Sequence, residues 1–292
     1  MKQRFAPLFV LSAGTLWGVM GIFVRHFNAV GLGSLEISLL RMTMGLVIVG
    51  IYLLLRHREL LKIQLKDLWC FIGAGIVSQL MMNFTYFSAL QHTSLAVAGV
   101  LLYTAPIFVM LLSALLFRET ITVKKVFALV LAFLGCVLVS GVGTDSRVSL
   151  PGLLYGLGAG ISYAMYSIFG RYAIRRGYGS WTLTFYSFLF CAFSSIFFCD
   201  FRLIVPVAVQ PVEWVWIFGL GLVTAFAPYV LYSKGLEAME NSRASILASI
   251  EPVVAAVVGV IAFHEVLTLP VTAGIVLVLT AIFILSANKK TA

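Results

Sequence analysis

Glu251 sets a carboxyl group inside an apolar stretch, LASIEPVVAAVVGVIAF, and Pro252 follows it at once. An ionised carboxylate is costly in apolar surroundings, so such a group must be protonated, paired or turned toward water. There it can bind an ammonium group, carry a coupling proton, or serve as a structural hydrogen-bond partner for a neighbouring helix. A second constellation is Gln79, Asn83 and Tyr86, which with Leu90 follow one another at steps of four, three and four. That spacing aligns them on one helical face, and a polar stripe on an apolar helix turns toward the interior. Trp17, Tyr103, Tyr163, Tyr229 and Tyr232 add rings and hydroxyls in other apolar stretches, with Tyr166 one turn beyond Tyr163. Stacking surface, hydroxyls and an amide together suit a zwitterionic or aromatic metabolite, and equally an organic cation held by cation–π attraction. Any one of these rings serves as well in helix packing or an interfacial belt.

Pro106, Pro228 and Pro252 each leave a backbone carbonyl without its helical donor, which kinks a helix and frees an acceptor for a ligand. Glu119 and Glu265 stand at the far ends of two apolar stretches, where they are expected to act as gates or as caps of the segments that follow. Arg41 lies about seven residues into its stretch at a rise of about 1.5 Å per residue, so its long side chain is expected to snorkel outward or to reach Glu36. Gly14 with Gly18, and Gly160 with Ala164, have the small-xxx-small spacing that lets helices approach closely.

Other chemistry is missing. Cys70, Cys136, Cys191 and Cys199 lie in apolar stretches without metal-ligand spacing, so they read as packing residues. His26, His57, His92 and His264 fall near stretch ends, away from any intramembrane carboxylate. There is no nucleophile with a base at membrane depth and no phosphate-cradling loop. The sequence therefore points away from an enzyme, and neither a metal nor another cofactor is expected.

What must position these groups is a set of apolar helices. The 292 residues are 61% hydrophobic and 11% charged, more apolar surface than a soluble core of that length hides. Ten runs of about 20 residues, each long enough for a bilayer core, begin near Ala6, Ser34, Asp67, Ser94, Val123, Leu150, Ser180, Glu213, Arg243 and Leu269. They are unbroken rather than alternating, so strands are excluded and the lipid bilayer is the solvent. Lys2 and Arg4 before the first run imitate a signal peptide, but Trp17 and Arg25 suit no small-residue cleavage site, and the run reads as a retained helix.

The net charge of +9 would suggest nucleic acid as the partner of a soluble protein. Here the basic residues gather in alternate connections, which is the positive-inside pattern and leaves nucleic acid no role. A cytoplasmic N-terminus puts Arg25, Arg147 and Arg202 outside, leaves Arg41 within a helix, and puts the other sixteen of the 20 Lys and Arg inside, Lys289 and Lys290 among them. Both termini are then cytoplasmic in a multi-pass protein of the cytoplasmic membrane.

Shifted against itself by 146 residues, the sequence matches without a gap. Gly14 meets Gly160, Phe23 meets Phe169, Arg25 meets Arg171, and Tyr86 meets Tyr232. Pro106, Phe117, Glu119 and Thr122 meet Pro252, Phe263, Glu265 and Thr268. Each half, residues 6–141 and 150–286, holds five runs, and an odd number makes the second half enter the membrane from the other side. The fold class expected is an all-α integral membrane protein of ten transmembrane helices in two inverted five-helix repeats. Such repeats give two nearly equivalent packings around a midplane site, the basis of alternating access.

The segments LLYTAPIFVMLLSALLFRETIT (101–122) and LASIEPVVAAVVGVIAFHEVLT (247–268) resemble the signature helices of the EamA branch of the drug/metabolite transporter superfamily. So do Trp17-Gly18, Arg41 and the half-length duplication; Ser187 in the place of Arg41 departs from symmetry. The resemblance implies a central cavity lined by helices 1, 3, 4, 6, 8 and 9 and transport of metabolites, often export of amino acids. It also implies that helices 5 and 10 give dimer contacts or support in some members, so a homodimer joins the expected partners. The expectation is a secondary transporter of small organic metabolites, amino acids or related compounds foremost, lined by Trp17, Gln79, Asn83, Tyr86, Tyr103, Tyr163, Tyr229, Tyr232 and Glu251. An organic-cation carrier is the near alternative, and a passive channel or scaffold the rival of another kind.

Overall fold

The computed structural model describes residues 2–142 and 149–286; Arg147, Lys289 and Lys290 lie outside them. The described residues contain helices and no β-strand. Nine helical stretches among them are long and apolar enough to cross a membrane. We number them with the helix at the remaining apolar run: α1 Phe5–Ala29, α2 Ser34–Arg56, α3 Leu65–His92, α4 Leu95–Phe117, α5 Val123–Val139, α6 Leu150–Arg175, α7 Ser180–Phe198, α8 Glu213–Ala238, α9 Asn241–Phe263 and α10 Leu269–Ser286. The 17-residue α5 is the shorter one, about 25 Å at the usual rise. A short helix, Phe201–Ala208, which the hydrophobic runs do not announce, lies between α7 and α8. The chain is a multi-pass membrane protein.

Local chemistry sets the helix ends. Ser94, Thr122 and Ser149 cap α4, α5 and α6 by accepting from the backbone N–H three residues on, at 3.2–3.3 Å. Arg118 and His264, 146 positions apart, both take left-handed backbone geometry at the ends of α4 and α9. There Glu119 N–H donates to the Ser113 carbonyl at 3.2 Å, and Glu265 N–H to the Gly259 carbonyl at 3.1 Å.

Several helices are interrupted, and the prolines account for much of this. Pro106 cannot donate to the Leu102 carbonyl nor Pro252 to that of Ala248, and α4 and α9 break one step earlier, at Tyr103–Thr104 and at Ser249. Helices α3 and α8 widen to π winding over Gly73–Leu80 and Leu220–Phe226, the second just ahead of Pro228. Helix α1 breaks at Val19, while its counterpart α6 runs straight through.

Successive helices run to opposite ends of the bundle, and contacts between connections define those ends. At one, Lys125 pairs with Glu240 at 2.7 Å, Arg176 with Asp67 at 2.7 Å, and Thr182 donates to the Leu60 carbonyl at 2.8 Å. At the other, His26 pairs with Glu213 at 2.8 Å, and Asp200 N–H donates to Glu36 at 3.0 Å. The first end carries Arg56, Arg58, Lys62, Lys66, Arg118, Lys124, Arg175 and Arg176, and is called here the basic end.

The broadest helix contacts join the two halves of the sequence: α1 with α8 and α9, α2 with α7 and α8, α3 with α6 and α7, α4 with α6 and α9. Helices α5 and α10 pack on each other, crossing where Gly135 faces Gly274. Buried apolar residues from Val10 to Leu285 consequently form one shared core.

Candidate functional site

The interrupted helices converge on an aromatic chamber. Trp17 lies beside Tyr229 at 5.3 Å between ring centroids, Tyr232 at 5.5 Å and Tyr163 at 6.4 Å. These rings border a small cavity of about 20 Å³, room for about one water. Two hydroxyls there are already committed: Tyr232 bonds Ser167 at 2.8 Å and Tyr166 bonds Ser233 at 2.9 Å. Gln79 is different. It is 1% exposed, borders the chamber, and neither its Oε1 nor its Nε2 has a partner among the described residues. A buried amide with all its valences open is costly unless water or a ligand completes it.

Glu251 stands just past the α9 break, only partly buried, with the Tyr163 hydroxyl turned toward it. Tyr86, Tyr103 and Tyr229 lie within its electrostatic reach. Close helix contact holds it there: a methyl on Gly18 would fall 2.7 Å from the Glu251 carbonyl oxygen, and one on Gly14 2.9 Å from that of Ala248. On the other side Gly160 lies against the α4 break in the same way, 2.8 Å from the Leu101 carbonyl oxygen by the same construction. Both small-residue pairs therefore seat a helix on a break of the opposite half.

Two expected roles change. Asn83, on the same face as Gln79, donates to Ser38 of α2 at 2.6 Å and does not line the chamber, because α2 packs over that turn. Arg41 does not snorkel: it is 4% exposed, donates from Nη1 to the Met20 sulfur at 2.9 Å, and lies within electrostatic reach of Glu251. Glu36 is engaged elsewhere, by the backbone of Asp200.

The two ends of the bundle differ. Toward the basic end Glu119 accepts from Asn241 N–H at 2.8 Å, Ser242 N–H at 3.2 Å and Ser242 Oγ at 2.7 Å. It thus caps the N-terminus of α9, whereas the following helix α5 is capped by Thr122. Arg171 braces the junction, donating to Asn241 Oδ1 at 2.8 Å and to the Met239 carbonyl. Toward the opposite end Glu265 caps no helix and pairs with Arg25, both about half exposed. A separate groove of about 340 Å³ lies there, lined by Tyr103, Pro252, Glu265, Val266 and Leu267 among others.

The family profile described as EamA-like transporter family matches residues 4–141 and 150–287. The chain belongs to the EamA-like transporter family. An uncharacterized transporter of Archaeoglobus fulgidus is 31% identical over 97% of this chain and 96% of its own length. The uncharacterized transporter YwfM of Bacillus subtilis is 26% identical over 99% and 96%. A solved crystal structure, 20% identical, shares the fold with a TM-score of 0.79 over 96% of this chain and 95% of the other. In this EamA transporter Trp17, Gln79, Tyr163, Tyr229 and Tyr232 border the chamber, as expected from the sequence, with Tyr86, Tyr103 and Glu251 beside it. Ser78, Met82, Val109, Ser167 and Ser245 border it too, without being expected from the sequence. One signal was available, since Asn241, Ser245 and Ser249 form a polar stripe at steps of four leading to Glu251.

Proposed function

We propose that this transporter works by alternating access, moving small organic metabolites, amino acids or related compounds foremost, across the cytoplasmic membrane. The observation that carries the reading is the difference between the two ends of the bundle, one latched across the halves by Glu119 and Arg171 and the other holding only the exposed Glu265–Arg25 pair beside a groove. A pore that merely conducts needs no such difference, while a carrier must hold one gate closed whenever the other is open. Ten membrane crossings in two inverted repeats, residues 6–141 and 150–286, provide the second state by exchanging the roles of the halves. Supporting this, the π windings, the α4 and α9 breaks and the left-handed turns recur at a spacing of 146 or one residue from it. The basic residues favour a cytoplasmic basic end with both termini inside, the groove then facing outward. Export is the direction the family resemblance suggests, with Glu251 as the proton-carrying or ammonium-binding group.

A second reading has its own observation. Glu251 beside Tyr163, with Trp17 and Tyr229 near, is a cage for an organic cation without further anchors. Counterflow in liposomes tests the transport reading: labelled substrate should accumulate transiently against unlabelled substrate inside. A passive channel gives no such accumulation, and that result refutes alternating access.

A further inference from the structure

We infer that Arg41 binds a carboxylate of the transported ligand, so that the central site takes molecules bearing both an anionic and a cationic group in preference to simple amines. The inference rests on the transport reading and adds to it a residue with a stated specificity.

The argument begins with charge. A guanidinium stays protonated in proteins, and a buried cation needs an anionic or strongly polar partner to offset its lost hydration. Arg41 is nine-tenths buried and more, yet among the described residues it forms no ion pair. Its one hydrogen bond goes to the Met20 sulfur, a weak acceptor, and its Nε has no partner. Two N–H edges of a planar fork are thus poorly used, and such a fork matches a carboxylate in bidentate fashion.

Position supplies the rest. Arg41 meets α1 at Met20, just past the Val19 break, while the Glu251 carbonyl lies under Gly18, just before it. The two ionisable groups therefore flank one interruption of α1, near enough to interact but without forming an ion pair. Tyr229, whose ring borders the chamber, is a neighbour of both. A cation and a carboxyl group held apart across that interruption, both near Tyr229 of the chamber, complement the two charged ends of an α-amino acid. An amine would satisfy Glu251 alone and leave Arg41 as it stands. The second half offers no duplicate, because Ser187 is fully buried and bonded to the Thr184 carbonyl at 3.0 Å.

The full-length protein in liposomes decides this, with each proteinogenic amino acid assayed beside its decarboxylated amine by thermal shift and counterflow. The wild type should favour an amino acid over its amine by about tenfold or more. Arg41→Gln should weaken the amino acid by about 10- to 100-fold, the range for a charge-assisted hydrogen bond, and leave the amine within about threefold. Arg41→Lys should fall between, keeping the charge and losing the fork. Amine exchange by the same variants shows that they are folded. A wild type that prefers amines, or an Arg41→Gln variant that loses both classes equally or neither, overturns the role of Arg41 and leaves the transport reading intact. A wild type that exchanges neither class overturns both.

Discussion

Removing the Glu119 carboxylate should unlatch the chamber at the basic end. The carboxylate accepts three hydrogen bonds from Asn241 and Ser242 at 2.7–3.2 Å, on a helix N-terminus whose N–H groups otherwise lack partners. Bonds to a charged acceptor contribute about 1.5–3 kcal/mol each, but these three act as a unit and water replaces part of them. A net loss of about 2–3 kcal/mol for Glu119→Ala shifts the ratio of closed to open gate roughly 30- to 150-fold. Ser245 reports the opening, since it lies one turn beyond Asn241, borders the chamber and is 6% exposed. In protein carrying Ser245→Cys and lacking the partly accessible Cys199, labelling by a membrane-impermeant maleimide from the basic side should quicken at least tenfold. Glu119→Gln, which keeps an acceptor oxygen, should quicken it less. An unchanged rate refutes the latch, and so does a rise that also exposes buried Cys136, because that is unfolding.

Glu265→Ala should do much less than Glu119→Ala, below about 1 kcal/mol in melting experiments, because its partner Arg25 is half exposed and such pairs are weak. Gly18→Ala puts a methyl 2.7 Å from the Glu251 carbonyl oxygen and should cost about 1–3 kcal/mol, read as a fall in melting temperature and in counterflow. Gly21→Ala meets nothing within 4 Å and should gain about 0.5–1 kcal/mol. Glu251→Gln should abolish transport at every pH, while unchanged transport with unchanged pH dependence would remove that carboxyl from the mechanism.

The elements were largely legible because bilayer length and helical period act locally: the runs beginning near Ser34, Val123, Leu150, Ser180 and Leu269 start within a residue of the helices. The aromatic members of the chamber were legible because a ring or hydroxyl in an apolar helix turns inward. Roles that depend on a partner were not. Gln79 and Asn83 share a face and amide chemistry, yet Ser38 happens to meet only Asn83. Arg41 looked near enough to an end to escape, and the packing of α1, α7 and α8 around α2 keeps it inside. Glu119 and Glu265 match in sequence context and differ in their bonds, Glu119 meeting backbone N–H groups at the start of α9 and Glu265 meeting Arg25.

The interleaving of the two halves also constrains how the chain is made. While only the first five helices have left the ribosome, α1 lacks α8 and α9, α2 lacks α7 and α8, and α5 lacks α10. Gly14, Gly18 and the amide of Gln79 then meet acyl chains or the insertion machinery instead of their final neighbours. Maturation must wait for the last helix, so a nonsense mutation between α5 and α10 leaves an orphaned α5 and an assembly open to quality-control proteolysis.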